Sequence, residues 1–202
     1  MADVFSDGTY LTIDHDGEGR LTEKMSRFLA FARKAESAEE AKAIAKDFAN
    51  RYHDARHVCW AYMLGPERKE WLSNDNGEPS GTAGKPILGQ INSLGLTNVI
   101  VLVVRYFGGI KLGTPGLIAA YRESARMALD DAGIRKIVRC EDIELNVPYE
   151  SFDRVMRLIK ERYLEIKTQT IEMDCRITVR VPLTMVEEFK ERLKNIKGLS
   201  YR

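Results

Sequence analysis

Six consecutive aliphatic residues, Val99–Val104, limit the possible folds more than any other stretch of the chain. A run of valine, isoleucine and leucine that continues into Arg105 and Tyr106 predicts a β-strand covered on both faces. Such a strand needs a packed layer on each side of its sheet. The run is far shorter than the roughly 20 apolar residues of a membrane-spanning helix, so we expect no membrane segment.

Segments with strand or helix periodicity surround this central strand in the sequence. Apolar and β-branched residues predict strands at Ser26–Arg33 and His57–Leu64. Ser37 followed by Glu40 forms a capping-box pattern, and apolar residues at helical spacing come after it. A further helix is expected from about Pro115 to Asp131. The first part of the chain is therefore predicted to mix helices and strands.

The last third of the chain has the pattern of a separate small domain. Alternating apolar residues at 143–147 and 173–181 predict half-buried strands, and a weaker strand is expected at 164–170. Helical spacing follows at 152–163 and 186–193, and residues 199–201 close the sheet. The order βαββαβ is typical of a ferredoxin-like α+β unit. We therefore place a boundary near Arg139 and expect domains at 1–139 and 140–202.

Charge and composition exclude several classes of protein. Lys and Arg number 31 against 30 acidic residues, which leaves a net charge of +1 and no bulk attraction to nucleic acid or anionic membrane. The 44% hydrophobic and 30% charged residues are typical of a soluble globular protein. Asp3 and Asp7 stand where a secretory signal carries basic and apolar residues, and the three cysteines share no CxxC spacing. We therefore expect a reducing cytoplasmic location, with neither a disulfide framework nor a thiolate metal site.

A glycine-rich segment, SNDNGEPSGTAGK at 73–85, contains the first set of candidate binding residues. Its Asn-Gly pair predicts a turn, and its later glycines expose amides that can face an anion. A nucleotide phosphate loop ending at Lys85 requires glycine at position 79 and Ser or Thr at position 86. Both positions are proline here, so the segment does not match such a loop. Ser80 and Lys85 allow a nucleophilic pair if the lysine is buried. The alternative is a structured loop over the end of the sheet, within one long loop expected at 65–85.

A second segment, Arg105–Tyr121, brings a cation, aromatic rings, glycines and a helix start together, which suits a phosphate-bearing ligand. The charged residues from 85 to 122 are all basic and predict a local positive face, namely Lys85, Arg105, Lys111 and Arg122. Alternatively, Tyr106 and Phe107 belong to the core and the glycines only turn the chain. Because both segments follow strands, we expect 74–85 to lie against 105–111.

His53, Asp54 and His57 resemble a zinc-binding HExxH pair with Asp in place of Glu. That pair needs both imidazoles one turn apart on a continuous helix, whereas His57 is predicted to begin a strand. We therefore expect no metal site, and no cofactor is indicated.

Four segments resemble the bacterial YigZ-like branch of the IMPACT family, in the same order. They are MSRF at 25–28, DARHVCWAY at 54–62, NDNGEPSGTAGKPIL at 74–88 and VVRYFGGIKLG at 103–113. The resemblance implies a first domain similar to domain 2 of ribosomal protein S5 and a ferredoxin-like second domain similar to one in elongation factor G. It also implies a role in translation, since eukaryotic relatives restrain an amino-acid-sensing kinase and associate with ribosomes. The candidate binding residues in and just after these segments are Arg27, Asp75, Glu78, Ser80, Thr82, Lys85, Arg105, Tyr106, Lys111 and Tyr121.

Two departures from the family pattern lower the expectation of catalysis. The family has DDGEP where this chain has Asn76 after Asp75, which weakens a carboxylate pair for a metal or for acid–base chemistry. The family's GTGG is replaced by residues 113–116, GTPG, so that Pro115 removes one backbone amide from an anion-binding turn. No catalytic residue is assigned.

Three functional hypotheses remain open. The first is a non-enzymatic cytoplasmic regulator that contacts RNA, the ribosome or a translation factor, with Lys85, Arg105 and Lys111 on phosphates. The second is an enzyme of unknown reaction that uses Asp75, Glu78, Ser80 and Lys85. The third is a regulator that binds only proteins.

Overall fold

A computed structural model describes residues 8–171 and 175–202, which form two compact units. The larger unit is Tyr10–Ile137, and the smaller unit comprises Val138–Arg202 together with Gly8 and Thr9. Both units mix helices with antiparallel sheets, so the α+β class is confirmed. Independent folding of 1–139 and 140–202 stays a prediction.

The larger unit is built on a five-stranded antiparallel sheet of order β2-β3-β6-β4-β5. The elements between residues 9 and 138 are β1 Thr9–Ile13, β2 Gly17–Glu23, β3 Ser26–Lys34, α1 Ala38–Arg51, β4 His57–Leu64, β5 Glu70–Asn74, α2 Gly84–Ser93, β6 Val99–Tyr106, α3 Gly113–Ala132 and β7 Ile134–Val138. The predicted central strand is β6, which pairs with β3 on one side and β4 on the other. Every residue of Val99–Val104 is fully buried, as expected for a strand with both faces covered.

Helices cover both faces of this sheet because its apolar residues alternate between two cores. Valines 99, 101 and 103 pack with α2 and α3, whereas Ile100, Leu102 and Val104 pack with α1. The predicted Ser37 cap of α1 is confirmed, since Ser37 Oγ accepts from the N–H of Glu40 at 3.2 Å. The Glu40 carboxylate in turn accepts from the N–H of Glu36 at 2.8 Å.

The prediction of one long loop at 65–85 is wrong in its length. Residues Glu70–Asn74 form the edge strand β5, which pairs with β4, and the helix α2 begins at Gly84. The strand was missed because its side chains are largely exposed and show no apolar alternation. The helix was missed because its N-cap residue is Ala83, which has no polar side chain to cap the helix and so gives no capping signal in the sequence. A shorter loop, residues 75–83, therefore joins β5 to α2; we call it the glycine-rich loop.

The smaller unit has the predicted order βαββαβ, in a sheet of order β11-β8-β10-β9 with antiparallel neighbours. Its elements are β8 Cys140–Val147, α4 Phe152–Glu161, β9 Glu165–Ile171, β10 Cys175–Pro182, α5 Val186–Lys194 and β11 Ser200–Tyr201, with short 3₁₀ turns before each helix. Met173 and Asp174, which begin the alternation expected at 173–181, lie outside the described residues. The buried core includes Ile143, Leu145, Ile177 and Val179.

No helix among the described residues is long and apolar enough to cross a membrane.

Candidate functional site

The glycine-rich loop is held in place by the carboxylate of Asp75, the residue that follows β5. Its Oδ1 accepts from the N–H groups of Ala83 at 3.0 Å and Gly84 at 2.8 Å, and its Oδ2 accepts from Gly81 at 2.8 Å. Burial raises the pKa of Asp75, but these three N–H groups and nearby Lys85 together lower the pKa below its usual value. Asp75 therefore stays ionised, closes the loop and supplies the start of α2 with an acceptor.

We expect Asp75→Asn to lower the free energy of unfolding at pH 7 by about 2 kcal/mol, because hydrogen bonds to a charged acceptor contribute about 1.5–3 kcal/mol. The folded-state pKa of Asp75 is depressed. Its stabilisation is therefore complete above the unfolded pKa of about 3.9 and is lost as the pH falls through the folded value. Urea unfolding from pH 7 to pH 3 measures this difference, with the exposed Asp47→Asn as control. A difference between wild type and Asp75→Asn that does not shrink in acid contradicts this role.

A buried carboxylate, Glu78, lies at the centre of the site with its side chain only 3% exposed. Its Oε1 accepts from Arg105 Nη1 at 2.5 Å and from the Tyr121 hydroxyl at 2.9 Å. Arg105 comes from the end of β6, and Tyr121 comes from the buried face of α3, where its ring meets the edge of Phe28. The loop is thus joined to the central strand and to α3 through one carboxylate oxygen.

Cys59 extends this network on the side of β4. Its Sγ lies 2.9 Å from the carbonyl oxygen of Asp75 and 3.4 Å from the Tyr121 hydroxyl. Burial raises the pKa of the Cys59 thiol to about 12, and burial likewise raises the pKa of Tyr121. Both groups are neutral at physiological pH, so neither supplies an anionic nucleophile.

His57 begins β4, as predicted, and faces the same network. Its Nδ1 lies 2.8 Å from the backbone oxygen of Asn76, which requires that Nδ1 carry a proton. Its Nε2 lies 3.9 Å from Glu78 Oε1, beyond hydrogen-bond distance. Nε2 therefore forms no hydrogen bond with Glu78. In the described part of the chain, no three His, Cys, Asp or Glu side chains are placed to hold a metal.

A cleft of about 600 Å³ opens between this network and the start of α3. It is lined by Arg56, His57, Glu78, Pro79, Arg105, Phe107, Lys111, Leu112, Gly113, Thr114 and Leu117. We call it the α3 cleft. Its lining charges are three cations and one carboxylate, so its field is positive although the whole chain is nearly neutral.

A second cleft, of about 700 Å³, adjoins the first and shares Arg56 and Phe107 with it. Arg27 lies over the Tyr106 ring, with Cζ 5.0 Å from the ring centre, and the Tyr106 hydroxyl donates to Asp54 at 3.0 Å. The Phe107 side chain is 49% exposed. Four exposed residues, Arg27, Arg56, Phe107 and Lys111, thus border the two clefts, and we call them the basic-aromatic surface.

The structure brings only some of the candidate residues together. The glycine-rich loop meets β6 through the Glu78–Arg105 pair, in the arrangement expected for 74–85 and 105–111. Arg105 was expected on phosphates, but it is 5% exposed and bound to Glu78 because it ends a strand covered on both faces. Tyr106 is half-buried, and Phe107 is exposed instead of belonging to the core.

The remaining candidates in the loop do not form a reactive site. Ser80 and Lys85 are both exposed, whereas a serine–lysine pair requires a buried lysine. Neither residue lines the α3 cleft. Thr82 is buried, and its hydroxyl donates to the Pro79 oxygen at 2.6 Å, which stabilises the turn before α2.

Three residues of the site, Arg56, His57 and Cys59, were not among the predicted binding residues, although the segment DARHVCWAY contains them and His57 was weighed as a metal ligand. The signal that would have found them is the pairing of β4 with β6, which sets His57 directly opposite Arg105. The N–H of Arg56 donates to the Arg105 oxygen at 3.0 Å and extends that pairing by one bond. In this register, the segments DARH at 54–57 and VVRY at 103–106 lie side by side at the same end of the sheet.

The model of the Impact N-terminal domain matches residues 24–129. The chain belongs to the IMPACT family. A Thermus thermophilus protein described as "IMPACT family member in pol 5'region" is 40% identical over 157 residues, 78% of this chain and 84% of that protein. The Escherichia coli "IMPACT family member YigZ" is 33% identical over 172 residues, 84% of each chain, so the YigZ-like branch is confirmed.

The chain is also similar to a solved structure and to a yeast protein. A crystal structure of a hypothetical protein superimposes with a TM-score of 0.69 at 29% identity, over 96% of each chain. A Saccharomyces cerevisiae "Protein IMPACT homolog" is 33% identical over 118 residues, 45% of that protein. The matched domain contains all the candidate residues from Arg27 to Tyr121.

Proposed function

We propose that this IMPACT family member is a cytoplasmic, translation-associated protein that binds RNA through the basic-aromatic surface. The observation that supports this most is Phe107, half exposed and bordered by three exposed cations beside two open clefts. About half of the Phe107 side chain is open to solvent, and the ring also lies over the buried guanidinium of Arg105, whose Cζ is 5.6 Å from the ring centre. Surrounded by arginine and lysine, it matches the way single-stranded nucleic acid is bound, with bases on aromatic rings and phosphates on cations.

The chemistry of this surface predicts weak binding that does not depend on base sequence. Arg27, Arg56 and Lys111 can each neutralise one phosphate, and such contacts position a polyanion without reading bases. Stacking of one base on Phe107 contributes about 1–3 kcal/mol and tolerates any base. Glu78 reads no base edge, because it is buried and already accepts from Arg105 and Tyr121.

Two finer assignments of the fold belong to this proposal. The larger unit is similar to domain 2 of ribosomal protein S5, and the smaller unit is ferredoxin-like, similar to one in elongation factor G. The second assignment is supported by the sheet order of the smaller unit. There β8, the first strand, lies between β11 and β10, and β9, the second strand, lies at an edge. Both comparisons are fold-level analogies, so ribosomal RNA is the source of RNA that we would test first.

The dependence of binding on salt tests the proposal. Three phosphate contacts predict that log affinity for single-stranded RNA falls with log salt at a slope of about −2, at roughly −0.7 per phosphate. Lys111→Ala should reduce that slope by somewhat under one unit and leave the fold intact, because Lys111 is exposed. Fluorescence anisotropy with a labelled oligonucleotide at several salt concentrations measures both quantities.

Lys42→Ala, which removes an exposed lysine of α1 that lines neither cleft, is the matched control. It should leave the slope unchanged. Absence of binding at low salt, or equal slopes for Lys111→Ala and wild type, would contradict the proposal and favour a regulator that binds only proteins.

A further inference from the structure

We propose that the α3 cleft binds one terminal phosphate group, that of a nucleoside monophosphate or of a 5′-phosphorylated RNA end. The inference rests on the proposed function only where the phosphate belongs to an RNA end. Binding of a free nucleoside monophosphate does not require that function. It names a ligand group and a subsite that the basic-aromatic surface alone does not imply.

The first observation is the uncapped start of the 20-residue helix α3. No side chain accepts from its first amides, and its first turn contains no acidic residue. Pro115 has no N–H, so the N–H groups of Gly113 and Thr114 are those left for an anion. Both residues line the α3 cleft, and the partial positive charge of the helix start adds to them.

The second observation is independent of the helix and concerns Arg105. This side chain lines the same cleft while 94% buried. It gives one hydrogen bond to Glu78 and lies over the rings of Phe28 and Phe107, and its enclosed Nε has no hydrogen-bond partner. A buried guanidinium with an unpartnered N–H retains charge that one shared carboxylate oxygen only partly compensates. An oxyanion in the cleft would complete that compensation.

The balance of charge and shape favours a phosphate monoester over a carboxylate. Arg56 and Lys111 are exposed at the cleft, so together with Arg105 they outnumber the single carboxylate of Glu78. A terminal phosphate has more negative charge than a carboxylate or an internal phosphodiester, and it offers three oxygens to separate donors. The lining also includes the apolar side chains Leu112, Leu117 and Phe107, which suit the organic part of a nucleotide.

The test compares two labelled oligonucleotides of one sequence, with a 5′-phosphate or a 5′-hydroxyl, by fluorescence anisotropy. We expect the 5′-phosphate form to bind about tenfold tighter. Thr114→Glu puts a carboxylate at the helix start, where it favours the fold but repels the phosphate, so it should abolish that preference. Ser93→Glu, which adds the same charge at the exposed end of α2 outside both clefts, should keep it.

A second arm titrates adenosine monophosphate and follows backbone amide shifts by NMR. Shifts at Gly113 and Thr114 that Thr114→Glu removes identify the free nucleotide as a source, and a preference limited to the oligonucleotide identifies the RNA end. Equal affinity for both oligonucleotides with no nucleotide shifts overturns the phosphate subsite while RNA binding stands. A preference that survives Thr114→Glu also overturns it. If neither oligonucleotide binds but adenosine monophosphate still shifts these amides, the proposed function is rejected and the phosphate subsite stands.

Discussion

Replacing Glu78 by Gln should lower the free energy of unfolding by about 3 kcal/mol, at the low end of the cost of removing one partner from a buried ion pair. The guanidinium of Arg105 would then be buried without a counterion, because its described ion pair is with Glu78 alone. The amide oxygen of Gln would still accept from Tyr121, which limits the loss.

Urea unfolding monitored by circular dichroism measures this effect. Glu70→Gln, at an exposed position of β5, is the matched control and should change stability by less than about 0.5 kcal/mol. Combining Glu78→Gln with Arg105→Gln should cost less than the sum of the two single changes, since the second removes the charge that the first leaves unpaired. A Glu78→Gln variant as stable as Glu70→Gln would show that the pair does not stabilise the fold.

Gly108→Ala should destabilise the larger unit by about 3 kcal/mol, the upper end of the usual cost of overpacking, because a β-carbon there overlaps backbone that cannot move aside. That atom would lie 2.0 Å from the carbonyl carbon and 2.2 Å from the oxygen of Met25. The N–H of Gly108 also donates to Ser26 Oγ at 3.2 Å, so the chain after β6 lies directly against the start of β3. This close approach sets the position of Phe107 beside Arg27.

A glycine is needed either because a β-carbon would clash or because the backbone has a positive φ. The adjacent Gly109 shows the second reason without the first. It has a φ of +87° and open space around the position of a β-carbon. Gly109→Ala should therefore cost only the conformational penalty of about 1–2 kcal/mol. Thermal and urea unfolding of both variants gives the comparison. Equal losses for Gly108→Ala and Gly109→Ala would contradict the steric account.

Elements with strong periodicity could be predicted from the sequence, because their patterns report directly on burial. The run Val99–Val104 identified the central strand, and Ser37 with Glu40 identified the start of α1. β5 and α2 could not be predicted in this way. One is an exposed edge strand, and the other receives its capping carboxylate from Asp75, nine residues before Gly84.

The candidate site was predicted in position but not in the roles of its charges. A sequence shows that Arg105 and Asp75 are charged, but it does not show which groups satisfy those charges after folding. Arg105 is paired with Glu78 from another element, and Asp75 accepts from three loop amides, so both stabilise structure. The exposed cation Arg56 was missed because it belongs to the turn before β4, and only the pairing of β4 with β6 brings it beside Phe107.

Co-sedimentation with purified bacterial ribosomes at graded salt tests the central claim most directly. The triple variant Arg27→Ala, Arg56→Ala, Lys111→Ala removes the three cations of the basic-aromatic surface. The charge-matched control Lys42→Ala, Lys46→Ala, Lys69→Ala removes three exposed lysines elsewhere in the larger unit. We expect wild type and the control to sediment with ribosomes at low salt and to be released as salt rises, while the triple variant stays in the supernatant. A triple variant that sediments as wild type does, at every salt concentration, would contradict RNA binding through this surface.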